Sequence, residues 1–257
     1  MKIQLLPSSF DENGRAAARQ HLPCFLIDDC AAIDAGSLAL AVSDEQRQTV
    51  RDIVLTHAHL DHIATLPSFI DDLFEDLRQP VCVHALSETI ETLETHIFNW
   101  QVFPRFSELC NDFGAVLQYK PFVPHKPFPV KHLEFAAVPV NHQVATVGFV
   151  VSDKRKTVAF TSDTAESDDF WTTINALPAL DALFVECAFP DSKAELARVS
   201  HHLTPRVLRA ELGKLKHRCP IFAINLKPAY YNEIAREILA LNLPELAILP
   251  VGRDIEI

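Results

Sequence analysis

The segment VLTHAHLDHI, residues 54–63, collects His57, His59, Asp61 and His62 within six positions. It continues a β-rich run, DIVLT, that predicts a strand, and it precedes apolar residues at three- and four-residue spacing that predict a helix. Ligands at such a strand-to-helix corner can converge on one point, because both flanking elements hold the loop. Imidazole and carboxylate groups are ordinary zinc ligands. The segment therefore predicts a metal site.

Two later strand ends supply ligands of the same kind. His142 follows the strand-like run LEFAAVPV, and Asp163 follows TVAFTS. Either residue alone is weak support, since a strand-end histidine is often an ordinary residue and a strand-end aspartate often caps a turn. Their order and setting beside the histidine-rich segment predict that they join the same centre.

Composition limits the function classes. The chain has 257 residues, 48% of them hydrophobic, and a formal net charge of −11. This length suits one large α/β domain or two small ones, and no apolar run predicts a membrane span. A long nucleic acid is disfavoured because it needs a basic surface. A small anionic substrate is compatible with the charge, since a bound metal brings positive charge of its own.

The cysteines and the N-terminus predict a compartment. Six cysteines are scattered without a CxxC pair, which favours free thiols. The start, MKIQLLPSSF, predicts a first strand rather than a signal peptide. We therefore expect a cytoplasmic protein that contacts no membrane.

Strand-like and helical segments alternate along the chain and predict one α/β domain over residues 1–257. VGFVVSDKRKTVAFTSD predicts a β-hairpin, with the basic run at its tip. Thr204 followed by Pro205 predicts a helix start, with the threonine hydroxyl as the cap. No glycine-rich phosphate loop is present, so nucleotide binding of that kind is not supported.

THAHLDH, the strand-end His142 and the SDT segment with Asp163 together resemble the metallo-β-lactamase superfamily. The resemblance runs from IDAG near residue 33 to the C-terminal strand. It implies an α/β (α+β) fold, a four-layer αββα sandwich, and a centre holding one or two Zn²⁺ ions, with Mn²⁺ or Fe²⁺ as alternatives. The implied ligands are His57, His59 and His142 with Asp163 bridging for the first ion, and Asp61, His62 and Asp163 for the second.

Three further segments narrow the resemblance. FVECAF with Glu186, SHHLTP with His202, and FAINLKP are similar to class II cyclic-nucleotide phosphodiesterases and, more distantly, to the ribonuclease Z group. The resemblance implies a phosphodiesterase that cleaves a small phosphodiester, such as a 3′,5′-cyclic nucleotide, by attack of metal-bound hydroxide. The implied catalytic residues are His202 as general acid, Glu186 orienting it, and Asp61 holding the nucleophilic water.

One position departs from this pattern. Asn225 stands where the resemblance places the last metal-ligating histidine. A neutral amide is a poorer zinc ligand than imidazole, so the second site is short of one strong ligand. Asn225 keeps open the alternative of a non-catalytic member with altered metal content, and a thioester, lactone or lactam hydrolase of the same fold is a second alternative. A homodimer is compatible with the family, and Asp34 is expected to brace the site loop.

Overall fold

The computed structural model describes all residues from Met1 to Ile257. They divide into two compact units. The first contains Met1–Ala17, His21–Val123 and Val251–Glu256, and the second contains Ala18–Gln20, Pro124–Pro250 and Ile257. Each unit is built around one seven-stranded sheet. The prediction of a single domain over residues 1–257 stays a prediction.

The strands are two to seven residues long. In chain order they are β1 (Lys2–Leu5), β2 (Phe25–Ile27), β3 (Ala31–Ile33), β4 (Asp52–Val54), β5 (Val81–Ala85), β6 (Cys110–Asn111), β7 (Gly114–Ala115), β8 (Leu117–Pro121), β9 (Phe128–Val130), β10 (Leu133–Pro139), β11 (Val147–Ser152), β12 (Thr157–Phe160), β13 (Ala182–Glu186), β14 (Ile221–Ile224), β15 (Leu246–Ile248) and β16 (Asp254–Glu256).

The helices follow several of these strands. They are α1 (Leu38–Ala41), α2 (Asp44–Thr49), α3 (Leu60–Ile63), α4 (Leu66–Leu73), α5 (Ser87–His96), α6 (Asp168–Asn175), α7 (Ala194–Val199), α8 (Pro205–Leu212) and α9 (Tyr231–Ala240). Short 3₁₀ turns cover Phe106–Glu108, Asp191–Lys193 and Pro228–Tyr230. None of the helices has the length and hydrophobicity that a bilayer span requires.

The sheet of the first unit has the order β16-β1-β2-β3-β4-β5-β8. Strands β3, β4, β5 and β8 run parallel, and β16, β1, β2 and β3 pair antiparallel. Helix α4 buries Leu66, Phe69, Ile70 and Leu73. These residues have the three- and four-residue spacing from which the helix was predicted. These residues share one core cluster with Ile53 of β4. The packing holds the end of β4, and hence the histidine-rich loop, in place.

The sheet of the second unit has the order β15-β14-β13-β12-β11-β10-β9. Strands β12 to β15 are parallel, whereas β9 to β12 pair antiparallel. Helices α6, α8 and α9 cover this sheet through one buried cluster that includes Trp171, Leu208, Ile234, Leu183 and Ala223. Because parallel strands point the same way, the residues that follow β12, β13 and β14 lie at one edge.

Two local predictions are decided by the structure. The predicted hairpin is confirmed as β11 and β12, and the Asp153 side chain accepts hydrogen bonds from the backbone N–H groups of Arg155 and Lys156 at its tip. Helix α8 begins at Pro205 after an extended Thr204, as predicted, but the Thr204 side chain makes no capping hydrogen bond. The prediction of a hydroxyl cap is therefore wrong. Pro205 still favours the start of the helix at this position, because its ring fixes φ near the helical value.

Candidate metal centre

The histidine-rich loop leaves β4 and enters α3, as the sequence predicts. The ring of His57 lies 4.1 Å from that of His62 and 4.7 Å from that of His59, measured between centroids. Asp61 Oδ2 lies 3.9 Å from His62 Nε2. His57 and His62 are buried. The first unit therefore brings the four predicted ligands of this segment together.

Asp34 braces this loop, as expected. It is 1% exposed, and its carboxylate accepts hydrogen bonds from the Thr56 backbone N–H at 2.8 Å and from His62 Nδ1 at 2.6 Å. An ionised carboxylate only accepts, so Nδ1 of His62 carries the proton and Nε2 keeps its lone pair for a metal. Burial raises the pKa of the Asp34 carboxyl, while the charge and hydrogen bond of His62 act to lower it.

Gly36 lets the chain pass close to the ligand loop. A Cβ at this position would press against the Asp61 carbonyl oxygen and lie 2.5 Å from Pro23 O. We expect Gly36→Ala to lower the free energy of unfolding by about 1–3 kcal/mol and to weaken metal binding, because the Asp61 loop must move. Urea unfolding and zinc-chelator competition measure both effects. Gly213→Ala, at the end of α8, is the control and should leave zinc affinity unchanged; unchanged stability and zinc affinity in Gly36→Ala would contradict the prediction.

The second unit places its candidate residues at the carboxyl ends of parallel strands. Glu186 is the last residue of β13, Asn225 directly follows β14, and Asp163 follows β12 by three residues. Ser162 and Asn225 have φ of +59° and +56°, the left-handed region. Non-glycine residues seldom adopt this conformation, and those that do cluster at functional sites.

His142 is oriented by a backbone carbonyl. Its Nδ1 donates to the carbonyl oxygen of His201 at 3.0 Å, which makes Nε2 the ring nitrogen without a proton. His201 itself has φ of +55°, and its ring contacts Asn141 Oδ1 at 2.9 Å. Candidate ligand atoms of His142, Asp163 and His202 all lie within 4.8 Å of one another. The second unit thus gathers three of the predicted site residues.

Glu186 and His202 form a buried pair. His202 Nδ1 lies 2.5 Å from Glu186 Oε1, and Glu186 is completely buried. Burial raises the pKa of the Glu186 carboxyl. Burial lowers the pKa of His202, but the charge and hydrogen bond of Glu186 outweigh it, and the net pKa is raised. The remaining acceptor positions of Glu186 receive backbone N–H groups of Thr164, Ala188 and Leu203.

The chemistry of these donors fits a divalent metal. The first unit offers three imidazoles and one carboxylate, and the second offers His142 and Asp163. His62 and His142 each use Nδ1 for an acceptor, the arrangement that metal-ligating histidines adopt. Mixed nitrogen and oxygen ligands suit zinc and neighbouring transition metals. The assignment of individual residues as ligands stays a prediction.

Sequence reasoning did not find three supporting interactions: the Thr56 contact with Asp34, the His201 carbonyl that holds His142, and the orientation of Asn225. Asn225 donates its Nδ2–H to Asp163 Oδ1 at 2.6 Å. Thr56 adjoins the histidine motif and could have been noticed. The direction of the His201 carbonyl cannot be predicted from the sequence. The same is true of the left-handed backbone of His201 and Asn225.

Residues 25–217 match a family model described as a beta-lactamase superfamily domain. The chain belongs to the β-lactamase superfamily. The matched range includes every predicted ligand and catalytic residue from His57 to His202, whereas Asn225 lies beyond it.

Similar proteins agree with this membership. The chain is 23% identical over 228 residues to a probable 3′,5′-cyclic-nucleotide phosphodiesterase of Yersinia pestis, a match that covers 78% of this chain and 63% of that protein. The chain therefore spans less than two thirds of the length of this curated relative.

Solved structures share the fold. Unliganded yeast PDE1 superposes with a TM-score of 0.77 at 16% identity, covering 98% of each chain. The metallo-β-lactamase fold protein YhfI from Bacillus subtilis gives a TM-score of 0.74 at 15% identity, covering 99% of this chain and 98% of that one. The predicted metallo-β-lactamase fold is thereby confirmed.

Proposed function

We propose that the chain is a metal-dependent phosphodiesterase that hydrolyses a small anionic phosphodiester, such as a 3′,5′-cyclic nucleotide. The observation that carries this proposal is the buried Glu186–His202 pair beside His142 and Asp163. The name of the Yersinia pestis relative, a probable 3′,5′-cyclic-nucleotide phosphodiesterase, supports the same class of substrate. Six free cysteines support a reducing compartment, and we propose the cytoplasm.

The pair supplies what a phosphodiester needs and a thioester does not. An alkoxide leaving group is strongly basic and requires a proton, whereas a thiolate departs without one. His202 is the proposed proton donor, with Nε2 as the donating atom because Nδ1 is engaged by Glu186. Glu186 holds the imidazole in this orientation, and three backbone N–H donors fix the carboxylate in turn.

The proposed metal ligands are those that the sequence predicts. His57, His59 and His142 with Asp163 would hold the first ion, and Asp61, His62 and Asp163 would contact a second. We propose Zn²⁺, with Mn²⁺ or Fe²⁺ as alternatives that this nitrogen and oxygen set accepts. A bound divalent ion supplies a nucleophile at neutral pH and stabilises developing charge on the phosphoryl oxygens. Asp61 is proposed to orient the attacking water. The ion also offsets the acidic net charge for an anionic substrate.

The test is hydrolysis of cyclic AMP by the chain loaded in turn with zinc and manganese, with His59→Ala as the blank. A thioester and a β-lactam are assayed beside it. We expect turnover of the phosphodiester well above the blank. Turnover of the thioester or lactam alone would assign the other hydrolase class. No turnover of any substrate by metal-loaded protein would favour a non-catalytic member.

A further inference from the structure

Asn225 contacts Asp163 through its amide nitrogen. The Asn225 Nδ2 to Asp163 Oδ1 distance is 2.6 Å, and Asp163 is 4% exposed. Because an ionised carboxylate only accepts hydrogen bonds, the amide N–H must face it. The amide oxygen, the one side-chain atom of asparagine that binds metals, is therefore turned away from this carboxylate oxygen. It is buried and makes no hydrogen bond within the protein.

We propose that Asn225 is a positioning residue for the metal centre: its N–H holds the Asp163 carboxylate, its oxygen does not bind the ion, and the chain retains one divalent ion tightly. This inference rests on the metal centre of the proposed function and is independent of its substrate.

The number of side chains at this strand edge that can bind a metal accounts for the tight binding of one ion. Of the three polar residues at the carboxyl ends of β12, β13 and β14, Glu186 has both oxygens engaged by four N–H donors and has no remaining capacity for a metal. Asn225 presents a donor instead of a ligand. Asp163 is then the one strong anionic ligand of this edge. One oxygen of Asp163 already accepts a hydrogen bond from Asn225. This hydrogen bond opposes equal coordination of two ions by the Asp163 carboxylate.

The left-handed backbone of Asn225 guides the choice of variants. Its φ of +56° is readily adopted by asparagine and glycine, and by histidine more often than by most other residues. Asn225→Gly therefore removes the side chain while keeping the backbone conformation. Asn242, with φ of +52°, is exposed in the same unit, and Asn242→Gly is a matched control for loss of a left-handed asparagine.

The experiment counts zinc per chain after dialysis and measures zinc affinity by chelator competition. We expect one equivalent in the unmodified chain. Loss of a residue that orients a ligand typically weakens metal affinity by roughly 10- to 100-fold, so Asn225→Gly should bind its single zinc that much more weakly. Asn242→Gly should match the unmodified chain, and the metal-free melting temperatures of the two glycine variants should be similar. Asn225→His adds a ligand and should retain a second equivalent.

Three outcomes would overturn the inference. The first is two equivalents bound with comparable affinity by the unmodified chain. The second is unchanged zinc affinity in Asn225→Gly, which would show that the hydrogen bond does not position Asp163. The third is a single equivalent in Asn225→His. These measurements need no substrate, so absence of phosphodiester turnover beside the expected metal results would refute the proposed function alone. Absence of any bound metal would refute both.

Discussion

His59→Ala should abolish phosphodiester hydrolysis and lower the metal content of the chain. His59 is one of two imidazoles that lie beside His57, and the ring centroids of His57 and His59 are 4.7 Å apart. Removing a direct ligand should weaken metal affinity by more than the roughly 10- to 100-fold lost when a residue that only orients a ligand is removed. The nucleophile depends on the ion, so turnover should fall with it.

The measurement combines zinc content, zinc affinity and initial rates on cyclic AMP. His96→Ala is the matched control, since His96 is exposed at the end of α5 in the same unit. It should keep both metal and activity. Full activity in His59→Ala would contradict the assignment of this loop as the metal site.

His202→Ala should lower turnover by about 10²- to 10⁴-fold, the usual contribution of a positioned proton donor, while the metal content stays the same. The Ala variant also leaves Glu186 buried without its partner, which costs stability. His202→Asn avoids that problem, because an amide N–H can still donate to Glu186 but cannot deliver a proton to the leaving group.

Comparing the two variants separates catalysis from folding. Both should show the same loss of turnover at saturating substrate, and His202→Asn should unfold closer to the unmodified chain in urea. His202 lies near His142 and Asp163, so a role as ligand is the competing assignment. Loss of metal in His202→Asn would establish that role and remove the proposed proton donor.

The Glu186–His202 pair shows how far pattern reasoning extends. The resemblance of FVECAF and SHHLTP to class II cyclic-nucleotide phosphodiesterases implied that these two residues act together, and the structure joins them at 2.5 Å. The same segments did not predict that backbone N–H groups saturate the carboxylate. Those donors belong to three separate chain segments, and only the packing of the second unit brings them to one carboxylate.

The resemblance of the motifs to the metallo-β-lactamase superfamily predicted the fold. The sequence by itself also determined the ligand types and the elements that carry them. These properties follow from local rules: residue chemistry, six-residue spacing in the histidine loop, and the alternation of strands and helices. The hairpin of β11 and β12 and the buried face of α4 are predictable for the same reason.

Only the tertiary structure decided how those ligands are held. Asp34 braces His62 across 28 residues, the His201 carbonyl orients His142 across 59, and Asn225 engages Asp163 across 62. A hydrogen bond depends on direction as well as distance, and direction comes from backbone conformation such as the positive φ of His201 and Asn225. The sequence shows that an asparagine is present, but the fold determines that its amide faces the carboxylate as a donor.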